Sequence, residues 1–305
     1  MNNIETFVHI GLCKTGTSFL QQCFFPAIDG IHYINVHASW LDEIIYKNDF
    51  DFEYKKVRSN FKTFISANSL PVLISNESLA GNFLHGAMDT TMIANRLHAM
   101  HDDLKIIITI RNQMDMIDSL YRQYVHQGGA LSFLNFMKLG APNPIYAGLS
   151  YLNYYKLVSL YCGLFGRKNV LILKYEDLNC DYKLFLRQIL DFIGVDYKHD
   201  LADVFVKKNV GLSDLAIFIM RVINRFVPSW ANSASVIPHR ILTSHKVRIF
   251  FQNKLDPLLF RKISKKENFV IAAGMKDQII SYYREDNQHL CDEFAIDIDK
   301  YDYPL

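Results

Sequence analysis

The sequence predicts an α/β protein built on a doubly wound sheet, a central parallel β-sheet flanked by helices, with a mostly helical C-terminal third. Three observations lead there. Four short apolar runs, Thr6 to Ile10, Pro71 to Ser75, Lys105 to Ile110 and Asn169 to Leu173, are continuous rather than alternating. Strands covered on both faces read that way, because neither set of alternate side chains meets water. Helical patterns follow three of these runs, and strand–helix alternation is the mark of a doubly wound sheet. From about Ser213 the strand-like runs cease and amphipathic stretches take over.

In chain order, Thr6 to Ile10 leads through a small-residue loop into the helical pattern Thr17 to Phe25. Lys105 to Ile110 leads into Met114 to Gln127, and Asn169 to Leu173 into Tyr182 to Ile193. The last of these stops at Gly194, a natural helix C′ residue. Ser213 and Asp214 open a further amphipathic stretch to Phe226. There is no internal repeat, no low-complexity segment and no linker long enough to mark a boundary. Residues 1–305 are therefore expected to form a single domain, with a helical portion over about 213–305.

Half the residues are hydrophobic and 21% are charged, ample material for a buried core. A formal net charge of only +2 lacks the strong positive field of a nucleic-acid binder. The five cysteines (Cys13, Cys23, Cys162, Cys180, Cys291) show neither CxxC nor Cys/His spacing, so neither a disulfide framework nor a zinc site is indicated. No signal peptide pattern precedes the first strand. The most apolar stretch, Leu212 to Val227, is interrupted by Asp214, Arg221, Asn224 and Arg225. A soluble, cytoplasmic protein is expected. The segment His239 to Lys266 carries eight basic residues against Asp256. It reads as a solvated helix face or as a peripheral docking surface for an anionic acceptor, a nucleotide or a membrane.

The loop after the first strand holds the chemistry. A strand running through Gly11-Leu12-Cys13-Lys14-Thr15-Gly16 into a helix at Thr17-Ser18 is an anion cradle: backbone N–H groups converge and the helix dipole adds to them. Gly11 and Gly16 let the backbone approach an anion, and Thr15, Thr17 and Ser18 supply hydroxyls. The spacing is P-loop-like, matching G-x-x-x-x-G-K-[ST] at both glycines. Thr17, however, stands where that pattern has lysine, and the lysine is displaced to Lys14. The strand Lys105 to Ile110 is followed by Arg111, not by the Asp that would complete a Mg²⁺ site. A monoanionic sulfuryl group can be handled by one lysine and hydrogen bonds, without a metal.

The segment HIGLCKTGTSFLQ resembles the 5′-phosphosulfate loop of sulfotransferases that use PAPS (3′-phosphoadenosine 5′-phosphosulfate), particularly bacterial members reading HIGxxKTGTxxLQ. Cys13 stands where proline is common. The family's second hallmark is an arginine at a strand end and a serine eight positions later, which grip the 3′-phosphate. Arg111 and Ser119 stand at that spacing, with Gln113 in place of the usual proline. Arg111 offers a planar fork matched to phosphate oxygens. The stretch beginning LKYEDL resembles the segment after the family's fourth strand, where Tyr175 and Glu176 are expected to fix a turn. Lys207 and Lys208 sit where the family often has a basic loop near the nucleotide, which implies Lys208 as a further ligand.

By this resemblance Lys14 neutralises charge on the bridging oxygen as PAP departs, while Lys14, Thr15, Gly16, Thr17 and Ser18 hold the phosphosulfate. The acceptor hydroxyl needs a base. Glu77, just past the second predicted strand, is the leading candidate, since ligands in such sheets bind beyond the carboxyl ends of strands. Carbohydrate sulfotransferases commonly use a glutamate in a comparable place, which implies a carbohydrate or glycolipid acceptor. His32, His37 and His126 are the alternative bases, and His9 reads as a core residue. A P-loop kinase or NTPase, and a non-catalytic PAP-binding protein, remain the alternatives at this point.

Overall fold

The computed structural model describes residues 4–34, 39–82, 86–138, 149–195, 211–229, 249, 251–263 and 267–305. Five strands form one parallel sheet: β1 (Thr6–His9), β2 (His32–Ile34), β3 (Val72–Ser75), β4 (Lys105–Ile110) and β5 (Val170–Lys174), in the order β2-β3-β1-β4-β5. The four predicted strands are all present within a residue or so of their expected bounds. β2 was not foreseen: it is a three-residue edge strand whose first residue, His32, is exposed, so it carries no apolar run.

The continuous apolar runs have a direct cause. In β1, Phe7 faces one core cluster and Val8 the other. Leu73 and Ile107 share the first face, while Ile74, Ile106 and Ile108 share the second. Both faces are covered, so alternation disappears from the sequence.

The helices are divided between these faces. The turn α1 (Thr17–Phe19) continues in wider helical turns, Leu20–Phe24, and places Phe19, Leu20 and Phe24 on the Phe7 side. The opposite side receives α2 (Ser39–Tyr46), α3 (Tyr54–Ser66), α4 (Thr90–Met100), α5 (Gln113–His126), α6 (Phe133–Lys138) and α7 (Tyr154–Phe165). After β5 come α8 (Tyr175–Cys180) and α9 (Tyr182–Ile193); α9 returns to the Phe7 side and ends at Gly194, with φ 77°. Thus the connection after β1 leaves on one face and the connection after its neighbour β4 leaves on the other. That divergence is the switch point where an open α/β sheet presents its binding crevice.

The C-terminal part is helical, as expected. It contains α10 (Asp214–Ile223), the wide helical turns Phe251–Phe260, α11 (Arg261–Ile263), α12 (Phe269–Ala272) and α13 (Lys276–Phe294). Ser213 caps α10 by accepting the Ala216 N–H. Much of this part is sewn to α5 by the buried Arg122, whose guanidinium meets Asp118 at 2.8 Å, Asp214 at 2.6 Å and the Glu267 carbonyl at 2.8 Å. No described helix is long and apolar enough to cross a membrane.

Candidate active site

The loop between β1 and α1 is shaped by what surrounds its glycines. A Cβ on Gly11 would lie 2.4 Å from His9 Nε2, and one on Gly16 would lie 2.7 Å from Leu178 Cδ2. Gly16 also has φ 85°, a conformation in which L side chains are strained. Lys14 adopts φ 69° although it is not glycine. Such residues persist where the surroundings hold them, and they cluster at functional sites.

Thr15 is fully buried, and its hydroxyl donates to the Leu12 carbonyl at 2.5 Å, bracing the loop from beneath. Its side chain is therefore committed within the loop, and what Thr15 can offer an anion is its backbone N–H. The Thr17 hydroxyl donates to Glu77 Oε2 at 3.2 Å, and Ser18 is exposed. Cys13 is buried against Tyr151; burial, reinforced by Glu77, pushes its thiol up to about 12, so it stays protonated and inert at neutral pH.

The ends of the two strands beside β1 close on this loop from either side. From β3, the Asn76 N–H donates to the His9 carbonyl at 3.2 Å, and Asn76 Oδ1 accepts from the Ser78 N–H. Glu77 is thereby turned toward Thr17 with its carboxylate exposed. From β4, Arg111 Nη1 donates to the Lys14 carbonyl at 3.0 Å, and the guanidinium lies 4.7 Å over the Tyr175 ring. Arg111 Nε is buried and has no hydrogen-bond partner among the described residues. A buried donor left open on a half-buried arginine is a group in want of an acceptor.

Asn112 caps α5, its Oδ1 accepting the Met114 N–H at 2.9 Å. Ser119 follows two turns into α5, half-buried, on the partly exposed side shared with Asp115 and Gln123. The residue in the usual proline position, Gln113, is buried, and its Nε2 donates to Asn287 Oδ1 at 2.7 Å. This departure from the pattern thus ties α5 to α13.

A Sulfotransferase domain model matches residues 5–209, about two thirds of the chain. The chain belongs to the sulfotransferase family. Among solved structures, the sulfotransferase is similar in fold to one from Alicyclobacillus acidocaldarius, at 18% identity and TM-score 0.50, covering 73% of this chain and 94% of that one. The sulfotransferase domain from the curacin biosynthetic pathway aligns at 13% identity and TM-score 0.42, over 67% of this chain and 78% of that one. Mouse sulfotransferase SULT7A1, solved complexed with PAP, aligns at 18% identity and TM-score 0.40, over 67% and 68%. No curated protein sequence matches.

The sulfotransferase thus gathers Lys14, Thr15, Gly16, Thr17, Glu77 and Arg111 at the carboxyl end of the sheet. Among the histidines, His9 is buried in β1 with Nδ1 2.8 Å from Ser75 Oγ, and burial pushes its pKa down to about 3. It is a neutral core residue. His32 pairs with Val72 at the start of β2, the end of the sheet away from the loop, so it is not brought to the site. His126 lies seven residues beyond Ser119, about 10 Å further along α5. His37, Lys207 and Lys208 lie outside the described residues, as does half of the basic segment 239–266. Sequence reasoning missed the position of Tyr175 beneath the guanidinium. Glu176, expected to fix the turn of its own segment, instead accepts the Asn112 N–H from the start of α5 at 2.8 Å.

Proposed function

We propose that this sulfotransferase moves the sulfuryl group of PAPS to a hydroxyl of a carbohydrate or glycolipid acceptor. The observation that carries the donor is the Arg111–Lys14 hydrogen bond, which holds a half-buried guanidinium beside the loop; its Nε has no hydrogen-bond partner among the described residues. The two cations lie on one braced unit, and PAPS carries two separated anionic groups. On this reading Arg111 and Ser119 take the 3′-phosphate, and Lys208 is a further ligand. The loop amides, with Lys14, Thr17 and Ser18, take the 5′-phosphosulfate.

The transfer is an in-line displacement at sulfur. The acceptor oxygen forms its bond to sulfur as the bond from sulfur to the bridging phosphate oxygen breaks, and PAP leaves with that electron pair. Positioning and charge stabilisation supply most of the acceleration in such a step. Lys14 steadies the departing oxygen, and Glu77 takes the acceptor proton and releases it to solvent. The exposed carboxylate of Glu77, bonded to Thr17 of the donor loop, supports that role and with it the sugar-type acceptor. The site is drawn from the ends of β1, β3 and β4, and Asn112, next to Arg111, donates to the carbonyls of Tyr301 and Asp302 near the C-terminus, which supports one domain acting as a unit.

The test is transfer of labelled sulfate from PAPS into a native extract, with mass spectrometry of the labelled product. A sulfated glycan or glycolipid is expected. Label in protein or a small aromatic product would overturn the acceptor, and Mg²⁺-dependent ATP turnover without PAPS binding would overturn the donor.

A further inference from the structure

The C-terminal tail beyond α13 makes a set of polar contacts that no helix or strand requires. Ile298 and Tyr303 are buried in the core, and the tail runs across the start of α5. Asn112 Nδ2 donates to two tail carbonyls, Tyr301 at 2.9 Å and Asp302 at 2.7 Å. The Tyr303 hydroxyl donates to Glu176 Oε2 at 2.9 Å, while Glu176 Oε1 accepts the Asn112 N–H at 2.8 Å. Asn287 accepts from Gln113 and donates to the Pro304 carbonyl at 2.7 Å. All of these contacts converge on the two residues that follow Arg111. None of them reaches its guanidinium.

We infer that Asn112 and Tyr303 are positioning residues for the 3′-phosphate, and that the tail thereby forms part of the donor site. This rests on the PAPS reading above. The Arg111 side chain must span from the β4 end to the Lys14 carbonyl, so its fork is placed by the backbone from which it springs. On one side that backbone is fixed by the sheet. On the other it is fixed by Tyr154, which donates to the Arg111 carbonyl at 2.6 Å, and by the tail contacts at 112 and 113. Removing the Tyr303 hydroxyl leaves a largely enclosed carboxylate oxygen short of a donor. Glu176 then turns toward water and lets go of the Asn112 N–H. Displacements of an ångström in such a constellation are enough to weaken recognition strongly.

The test compares PAPS with adenosine 5′-phosphosulfate, which differs only in lacking the 3′-phosphate, by calorimetric titration of the full-length protein. Two variants are used, Tyr303→Phe and Asn112→Ser; serine keeps the oxygen that caps α5 while removing the donor to the tail. Both variants are expected to bind PAPS about tenfold more weakly, with adenosine 5′-phosphosulfate weakened clearly less, and to show a raised KM for PAPS at little-changed kcat. If the wild-type protein prefers PAPS and either variant, still folded by its thermal transition, keeps the full preference, that residue's contact serves stability alone and its positioning role is overturned. If the wild-type protein binds both nucleotides equally, the donor reading fails and takes this inference with it.

Discussion

The Arg111 guanidinium donates from Nη1 to the backbone carbonyl of Lys14 at 3.0 Å, joining the end of β4 to the middle of the loop that follows β1. Lys14 holds φ 69° with its carbonyl occupied in this way. The bond makes the lysine's backbone and the arginine's fork a single rigid element, and the account of the site depends on that.

Lys14 separates stability from activity. Lys14→Ala and Lys14→Gly both delete the ammonium group and should lower sulfate transfer by about 100-fold or more. Only alanine keeps a Cβ in the left-handed conformation, so the glycine variant should be the more stable of the two by about 1 kcal/mol. Chemical denaturation of the pair checks this.

Gly16→Ala adds both a contact at 2.7 Å with Leu178 and the strain of φ 85°. A loss of about 1–3 kcal/mol is expected, together with weakened nucleotide binding, because the loop must move to relieve the contact. An unchanged melting temperature would mean that α8 yields more easily than its packing implies.

Glu77→Gln keeps an oxygen for the Thr17 hydroxyl and removes the base. Transfer should fall by about 100-fold or more while PAP affinity stays intact. If the variant retains full activity, Glu77 is not the base, and among the described histidines His126 becomes the one to test.

His9 sets a pH dependence. Its folded-state value, about 3, lies below the ordinary 6.5, so the unfolded chain binds the proton that the fold refuses. The associated stability is complete above 6.5 and is lost as pH falls toward the folded value, roughly 2 kcal/mol by about pH 5. Glu176 and Asp286, whose carboxyls burial pushes upward, act in the opposite sense. Comparison with His9→Asn, which can still meet Ser75, isolates the histidine. The variant should lose less stability between neutral pH and pH 5.

The strands were legible because both sheet faces are covered, leaving Val8, Ile74 and Ile106–Ile108 in unbroken apolar runs. β2 was not, since an edge strand of three residues with His32 exposed leaves no such trace. Lys14, Arg111 and Ser119 were singled out through the resemblance to the sulfotransferase pattern, and of these the structure joins Lys14 and Arg111 directly. The inward commitment of the Thr15 hydroxyl was hidden, as were the Tyr175 ring beneath Arg111 and the tail against Asn112. Each depends on segments brought together only by folding. Tyr303 and Asn112 are 191 positions apart, and nothing local in either segment announces the other.

The most direct test of the donor site is the thermal shift produced by PAP against that produced by ADP. PAP at about 100 times its Kd should add about 2.7 kcal/mol of stability, a rise of about 4 °C. ADP at the same concentration should give a clearly smaller shift, because it offers no 3′-phosphate to Arg111 and Ser119. Equal shifts would contradict the account.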